Sequence, residues 1–93
     1  MKKAETLIQD AIIEHLNKNR ILHWRMSGAS NMAGFPDLLL CYKGKFVALE
    51  IKTPIGSPTM QQTKTIADIK KAGGHGFIVT SVEDVINVLK GVW

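Results

Sequence analysis

The sequence predicts an α/β fold, with one central mixed sheet flanked by helices in the order α-β-β-β-α-β-α. Three observations carry that reading. Apolar residues recur at helical spacing near the start, at Ile8, Ala11, Ile12 and Leu16, and again in the segment after Pro58. Between these segments two apolar runs, Leu38-Leu39-Leu40-Cys41-Tyr42 and Phe46-Val47-Ala48-Leu49, flank a short Lys43-Gly44-Lys45 connection. Both faces of that hairpin are apolar, so both are expected to be covered. No linker is long or polar enough to divide the 93 residues, so a single domain over 1–93 is expected. A chain this short lies near the lower end of sizes that fold without staples, and a homodimer would help it.

The first helix is expected over 4–19. Glu5 shares the stripe of Ile8 and Ile12, where an unpaired charge is costly unless it meets a partner. A carboxylate at a helix N-terminus also suits a first turn frayed into solvent. Asp10 and Glu14 are the other acids of this helix. A strand follows over 21–26, then the small polar connection Ser27-Gly28-Ala29-Ser30-Asn31-Met32-Ala33-Gly34, whose composition would let it approach a phosphate.

The hairpin decides which side chains meet. With a two-residue loop at Lys43-Gly44, Asp37 lies opposite Glu50, and Lys52 points to the same face. An odd loop without a bulge would separate them, because a one-residue slip flips every side chain. Thr53-Pro54-Ile55-Gly56 then breaks the strand. Ser57 is the expected N-cap and Pro58 the first residue of a helix running to about Ala72. In that helix Gln62, Ile66, Ile69 and Gly73 share a stripe, so Gln62 is the polar member of a core-facing row and Gln61 points elsewhere. Gly73-Gly74-His75-Gly76 closes the helix, Phe77-Ile78-Val79 forms a short buried strand, and a last helix starts at Ser81 with Asp84 as a near capping box. Val82, Val85, Ile86 and Leu89 are expected to face inward. The apolar tail Val92-Trp93 is a candidate interface element.

Composition sets the outer limits. Hydrophobic residues make up 45% of the chain, but no apolar run nears the roughly 20 residues of a bilayer span. The start lacks a signal-peptide stretch, so a cytoplasmic protein is expected. Cys41, the one cysteine, is expected to pack as a small hydrophobe in a reducing compartment. Twelve basic residues outnumber eight acids. If three of those acids gather at one site, the remaining surface is distinctly basic, which favours a polyanion such as nucleic acid. His15, His23 and His75 match no zinc spacing. Trp24 and Tyr42 are expected in the core rather than stacked on bases, and Arg20, Arg25, Lys43, Lys45 and Lys64 are candidate phosphate contacts.

Asp37, Glu50 and Lys52 together suit phosphodiester hydrolysis. A phosphodiester's anionic oxygens repel a nucleophile and its alkoxide leaves poorly, and a divalent cation held by hard oxygen ligands eases both obstacles. Asp37 and Glu50, with the carbonyl of Ile51, would hold the cation, and Lys52 would orient water or stabilise charge on the phosphate. The same residues also fit a solvated cross-strand charge cluster worth less than about 1 kcal/mol.

Gly34-Phe35-Pro36-Asp37, Glu50-Ile51-Lys52 and the downstream Gln62 resemble the PD-(D/E)xK nuclease superfamily. In order and length the chain resembles its virus-type replication-repair nuclease (VRR-NUC) domain, from Glu5 through Val79. The resemblance implies a restriction-endonuclease-like core and an active site of Glu5, Asp37, Glu50, Lys52 and Gln62. It further implies Mg²⁺ or Mn²⁺ held by Asp37, Glu50 and the Ile51 carbonyl. Stand-alone members resemble phage-encoded homodimers that cut branched DNA such as Holliday junctions, so a phage or prophage protein acting in the host cytoplasm is expected. A less selective DNA endonuclease and a non-catalytic nucleic-acid-binding module of the same fold are the alternatives.

Overall fold

The computed structural model describes residues 1–26 and 33–92. The expected connection at 27–32 and the tail residue Trp93 therefore lie outside the described residues. The elements are α1 (Ala4–Lys18), β1 (Leu22–Arg25), β2 (Leu38–Tyr42), β3 (Lys45–Ile51), α2 (Met60–Lys71), β4 (His75–Val79) and α3 (Val82–Lys90). The strands form one sheet in the order β1-β2-β3-β4, antiparallel except for the β3–β4 pair. This is the α-β-β-β-α-β-α arrangement, with a mixed sheet between helices, that the sequence predicts.

The turn between β2 and β3 sets the register. Lys43 and Gly44 both take positive φ, +51° and +77°, as a two-residue type I′ hairpin requires. Tyr42 therefore pairs with Lys45 and Leu38 with Leu49. One step further along the same ladder Asp37 stands opposite Glu50, as the even loop demands. Strand β1 extends the ladder, because the Met26 amide donates to the Asp37 carbonyl at 2.8 Å.

One face of the sheet carries the main core. Ile12 and Leu16 of α1 and Val85 and Leu89 of α3 pack with Leu38, Leu40, Val47, Leu49, Ile51, Val79 and Val92. Helix α1 ends in a Schellman arrangement in which Arg20, at φ +55°, donates to Asn17 while Ile21 donates to Leu16. Helix α3 starts at an N-cap, Ser81, whose hydroxyl accepts from the Asp84 amide; Asp84 in turn accepts from the amide and hydroxyl of Thr80.

The opposite face differs from expectation. Helix α2 covers β3 and β4, laying Ile66 over Gly76 and Ile69 over Gly74, but it does not reach β1 and the outer half of β2. Cys41, Leu22, Trp24 and Phe46 are consequently exposed, so neither the buried cysteine nor the buried tryptophan holds. Tyr42 packs against the core from its edge. In α1 Ala11 is exposed while Gln9 is buried, and in α3 Ile86 is 36% exposed, because each helix presents a narrower stripe than its apolar residues mark out. His75 and Gly76 belong to β4, not to the helix stop, and Ile78 is exposed on it. Val92 is buried in the chain's own core, which removes it as an interface element.

Helix α2 also starts later than its local signals indicate. Its N-cap is Thr59, not Ser57, and Pro58 precedes the helix. The Thr59 hydroxyl accepts from the Gln62 amide at 3.1 Å while the Gln62 side-chain oxygen accepts from the Thr59 amide at 2.8 Å. This reciprocal capping box satisfies two otherwise orphaned donors, which a serine at 57 could not do.

Candidate active site

The C-terminal end of β3 and the start of β2 bring the hairpin residues together. Asp37 is held from two sides. Its carbonyl takes the Met26 amide of the segment following β1, and its Oδ2 accepts the Ile51 amide of β3 at 2.9 Å. Glu50, on the same side of the sheet as Asp37, is only 2% exposed. Its Oε2 accepts from Gln62 Nε2 at 2.9 Å and lies 3.6 Å from Lys52 Nζ.

Gln62 has no freedom to flip. The backbone amide of Thr59 can only donate, so the atom facing it is the side-chain oxygen, and the amide nitrogen is thereby aimed at Glu50. The helix cap and the carboxylate's orientation are a single device.

Glu5, in the first turn of α1, completes the cluster. One carboxylate oxygen from each of Glu5, Asp37 and Glu50 lies within 4.8 Å of the others. Among the described residues no other group of acids, histidines or cysteines converges in this way. Asp10 and Glu14, the other acids of α1, are instead paired with Lys2 at 2.7 Å and Lys18 at 3.4 Å. Gln61 is exposed and Lys64 is paired with Asp68 at 2.8 Å.

The electrostatics of the cluster are unbalanced. Burial, then the neighbouring charge of Asp37, raises the Glu50 carboxyl from an ordinary 4.5 to about 8, against the opposing pull of Lys52. Glu50 Oε1 is buried with no hydrogen-bond partner among the described residues. An unsatisfied carboxylate oxygen on a member of a three-carboxylate cluster is costly by itself and is satisfied by a hard cation. The donor set therefore fits a divalent metal. Glu5, Asp37 and Glu50 are the carboxylates that could hold it. The Ile51 backbone adjoins them, with its amide spent on Asp37.

The structure thus brings together Glu5, Asp37, Glu50, Ile51, Lys52 and Gln62, all six of the residues singled out in the sequence. The reading of the sequence passed over Gln9, which is buried four positions after Glu5 on α1. That spacing, one helical turn from an acid on the core stripe, was the available signal.

The fold and this acid cluster beside a lysine define an α/β domain with a candidate metal centre at one end of its sheet. The fold is that of a VRR-NUC domain. A solved structure described as a VRR_NUC domain superposes with a TM-score of 0.81 at 22% identity, covering 99% of this chain and 100% of that one. A second, described as a VRR_NUC domain protein, gives 0.75 at 18% identity over 98% of this chain and 88% of the other. No protein-family model and no curated protein matches the sequence.

Proposed function

We propose that this chain is a divalent-metal-dependent DNA endonuclease that hydrolyses phosphodiester bonds. The observation that carries the reading is Glu50 Oε1, buried and unsatisfied beside two more carboxylates and within the same side-chain group as Lys52. The likeness to VRR_NUC domain structures supports the nuclease class. Among the described residues no helix is long and apolar enough to cross a membrane.

In this reading Asp37, Glu50 and the Ile51 carbonyl hold Mg²⁺ or Mn²⁺, with Glu5 as a further carboxylate beside them. The bound cation supplies Lewis-acid polarisation of the phosphodiester and a more acidic water. The protein's own residues do the positioning. Lys52, largely buried, keeps an ammonium near Glu50 and offers its remaining N–H donors to an attacking water or to the phosphate oxygens. Gln62 holds one oxygen of Glu50 and so restricts how the carboxylate can turn within the cluster. The Ile51 amide does the same for Asp37.

The preferred substrate in this proposal is branched DNA such as a four-way junction, cut by a homodimer whose two-fold axis matches the pseudo-symmetry of the junction. The resemblance to stand-alone nucleases supports this reading, and with it a phage or prophage product acting in the host cytoplasm. The test compares end-labelled four-way junction, flap and linear duplex with Mn²⁺, using wild type and Asp37→Ala. Paired cuts confined to the junction and lost in the variant are expected. Cutting of all three would identify a general endonuclease, and DNA binding without cleavage a non-catalytic module.

A further inference from the structure

We propose that Ile55 and Met60 form an apolar wedge that seats against an unstacked base beside the scissile phosphate. The inference rests on the nuclease reading above and adds the part of the substrate that the loop recognises.

The segment leaving the site at Lys52 returns to it at Gln62. Both ends are fixed: the Lys52 amide donates to the Val79 carbonyl at 3.0 Å, and Gln62 closes the capping box on Thr59. In between, the Gly56 amide donates to the Thr53 carbonyl at 3.0 Å, and Pro54 and Pro58 restrict the backbone. The strap is therefore a braced turn joining two residues of the candidate site.

What the strap presents is unusual for its position. Ile55 is 96% exposed and Met60 89% exposed, the highest values among the described large apolar side chains apart from Met1 at the chain start. Single exposed apolar residues need no explanation. Here two of them stand three residues after Lys52 and two before Gln62. Moreover, no side chain from Thr53 through Thr63 is charged, in a chain of which 22% of residues are. The polar side chains of the strap are hydroxyls and amides, which can reach phosphate and sugar oxygens. Its two aliphatic tips are suited to base faces, which are reachable only where the duplex is open. Isoleucine and methionine are among the side chains that proteins insert between bases.

The test uses the full chain with Mn²⁺ and a four-way junction carrying 2-aminopurine at the branch, whose fluorescence rises on unstacking. Brightening is read with Ca²⁺ in place of Mn²⁺ so that the DNA stays intact. Wild type is expected to brighten the probe and cut the junction. Ile55→Asn/Met60→Gln should leave Mn²⁺ affinity and melting temperature unchanged, abolish the brightening, and lower junction cleavage about tenfold or more. Ile55→Leu/Met60→Leu should restore both. Brightening and cleavage equal to wild type in the polar pair would overturn the wedge, as would a wild type that cuts without brightening. Conversion of a dimer to monomer in the polar pair would also overturn it, by assigning the tips to a second copy. A wild type that binds Mn²⁺ but cuts no DNA overturns the nuclease reading itself, and the wedge with it.

Discussion

Gln62 donates to Glu50 across the gap between α2 and β3, at 2.9 Å, with the same side chain whose oxygen caps α2 at Thr59. A mobile glutamine would orient nothing. This one is held at its oxygen by a backbone amide, so helix initiation and carboxylate orientation depend on each other.

Gln62→Ala removes both bonds at once. Loss of the glutamine half of the capping box and of the hydrogen bond to the buried Glu50 carboxyl should cost about 1–3 kcal/mol of stability. Activity should fall further than stability explains, because Glu50 is freed to turn its second oxygen away from the cluster. A double-mutant cycle with Thr59→Ala, read by denaturant unfolding, should show strong coupling between the two positions. Additive losses would mean that cap and site are independent.

The two halves of the site should separate by readout. Asp37→Ala should abolish Mn²⁺ binding in calorimetric titration and cleavage along with it. Lys52→Ala should retain Mn²⁺ binding and still lower the cleavage rate about 100-fold or more, because it removes a positioned charge near the reacting phosphate. If Lys52→Ala lost metal affinity as severely as Asp37→Ala, the lysine would be a structural counter-ion to Glu50 and not a participant in the chemistry.

The contrast between what could and could not be read in the sequence is physical. The hairpin was legible because alternation and a Lys-Gly turn fix register locally, and register alone sets Asp37 opposite Glu50. The start of α2 was not. Ser57-Pro58 is a good local signal, but Thr59 and Gln62, in a T-x-x-Q pattern, satisfy each other's backbone amides and win. The exposure of Trp24 and Cys41 was beyond local pattern altogether. It depends on how far α2 reaches across the sheet, which no strand sequence records.

Glu50 should give the protein a distinctive pH dependence. Its carboxyl is raised from 4.5 to about 8 in the folded protein, chiefly by burial and by Asp37. A group whose folded pKa lies above its unfolded one binds its proton more tightly when folded. The metal-free protein should therefore lose stability as pH rises through this window and level off above it. Glu50→Gln should flatten that slope in thermal unfolding. A divalent cation requires the ionised form, so its affinity should climb across the same window while binding releases a proton, measurable by calorimetry in buffers of different ionisation heat.

Two glycines with nearly the same backbone angle should respond very differently to alanine. Gly34, at φ +82°, sits so close to α2 that a Cβ would lie 2.7 Å from the backbone of Gln61, the neighbour of Gln62. Gly44, at φ +77°, has nothing within 4 Å of the same added atom. Gly44→Ala should thus cost only the left-handed backbone penalty, about 1–2 kcal/mol. Gly34→Ala carries that penalty plus about 1–3 kcal/mol of overpacking against a helix backbone that cannot rotate away. The clash should also push the start of α2 and so move Gln62 relative to Glu50, weakening Mn²⁺ binding in the folded fraction. Gly44→Ala, at the far end of the hairpin from the acids, should leave metal affinity unchanged. Equal losses of metal affinity in both variants would show that α2 is not positioned through Gly34.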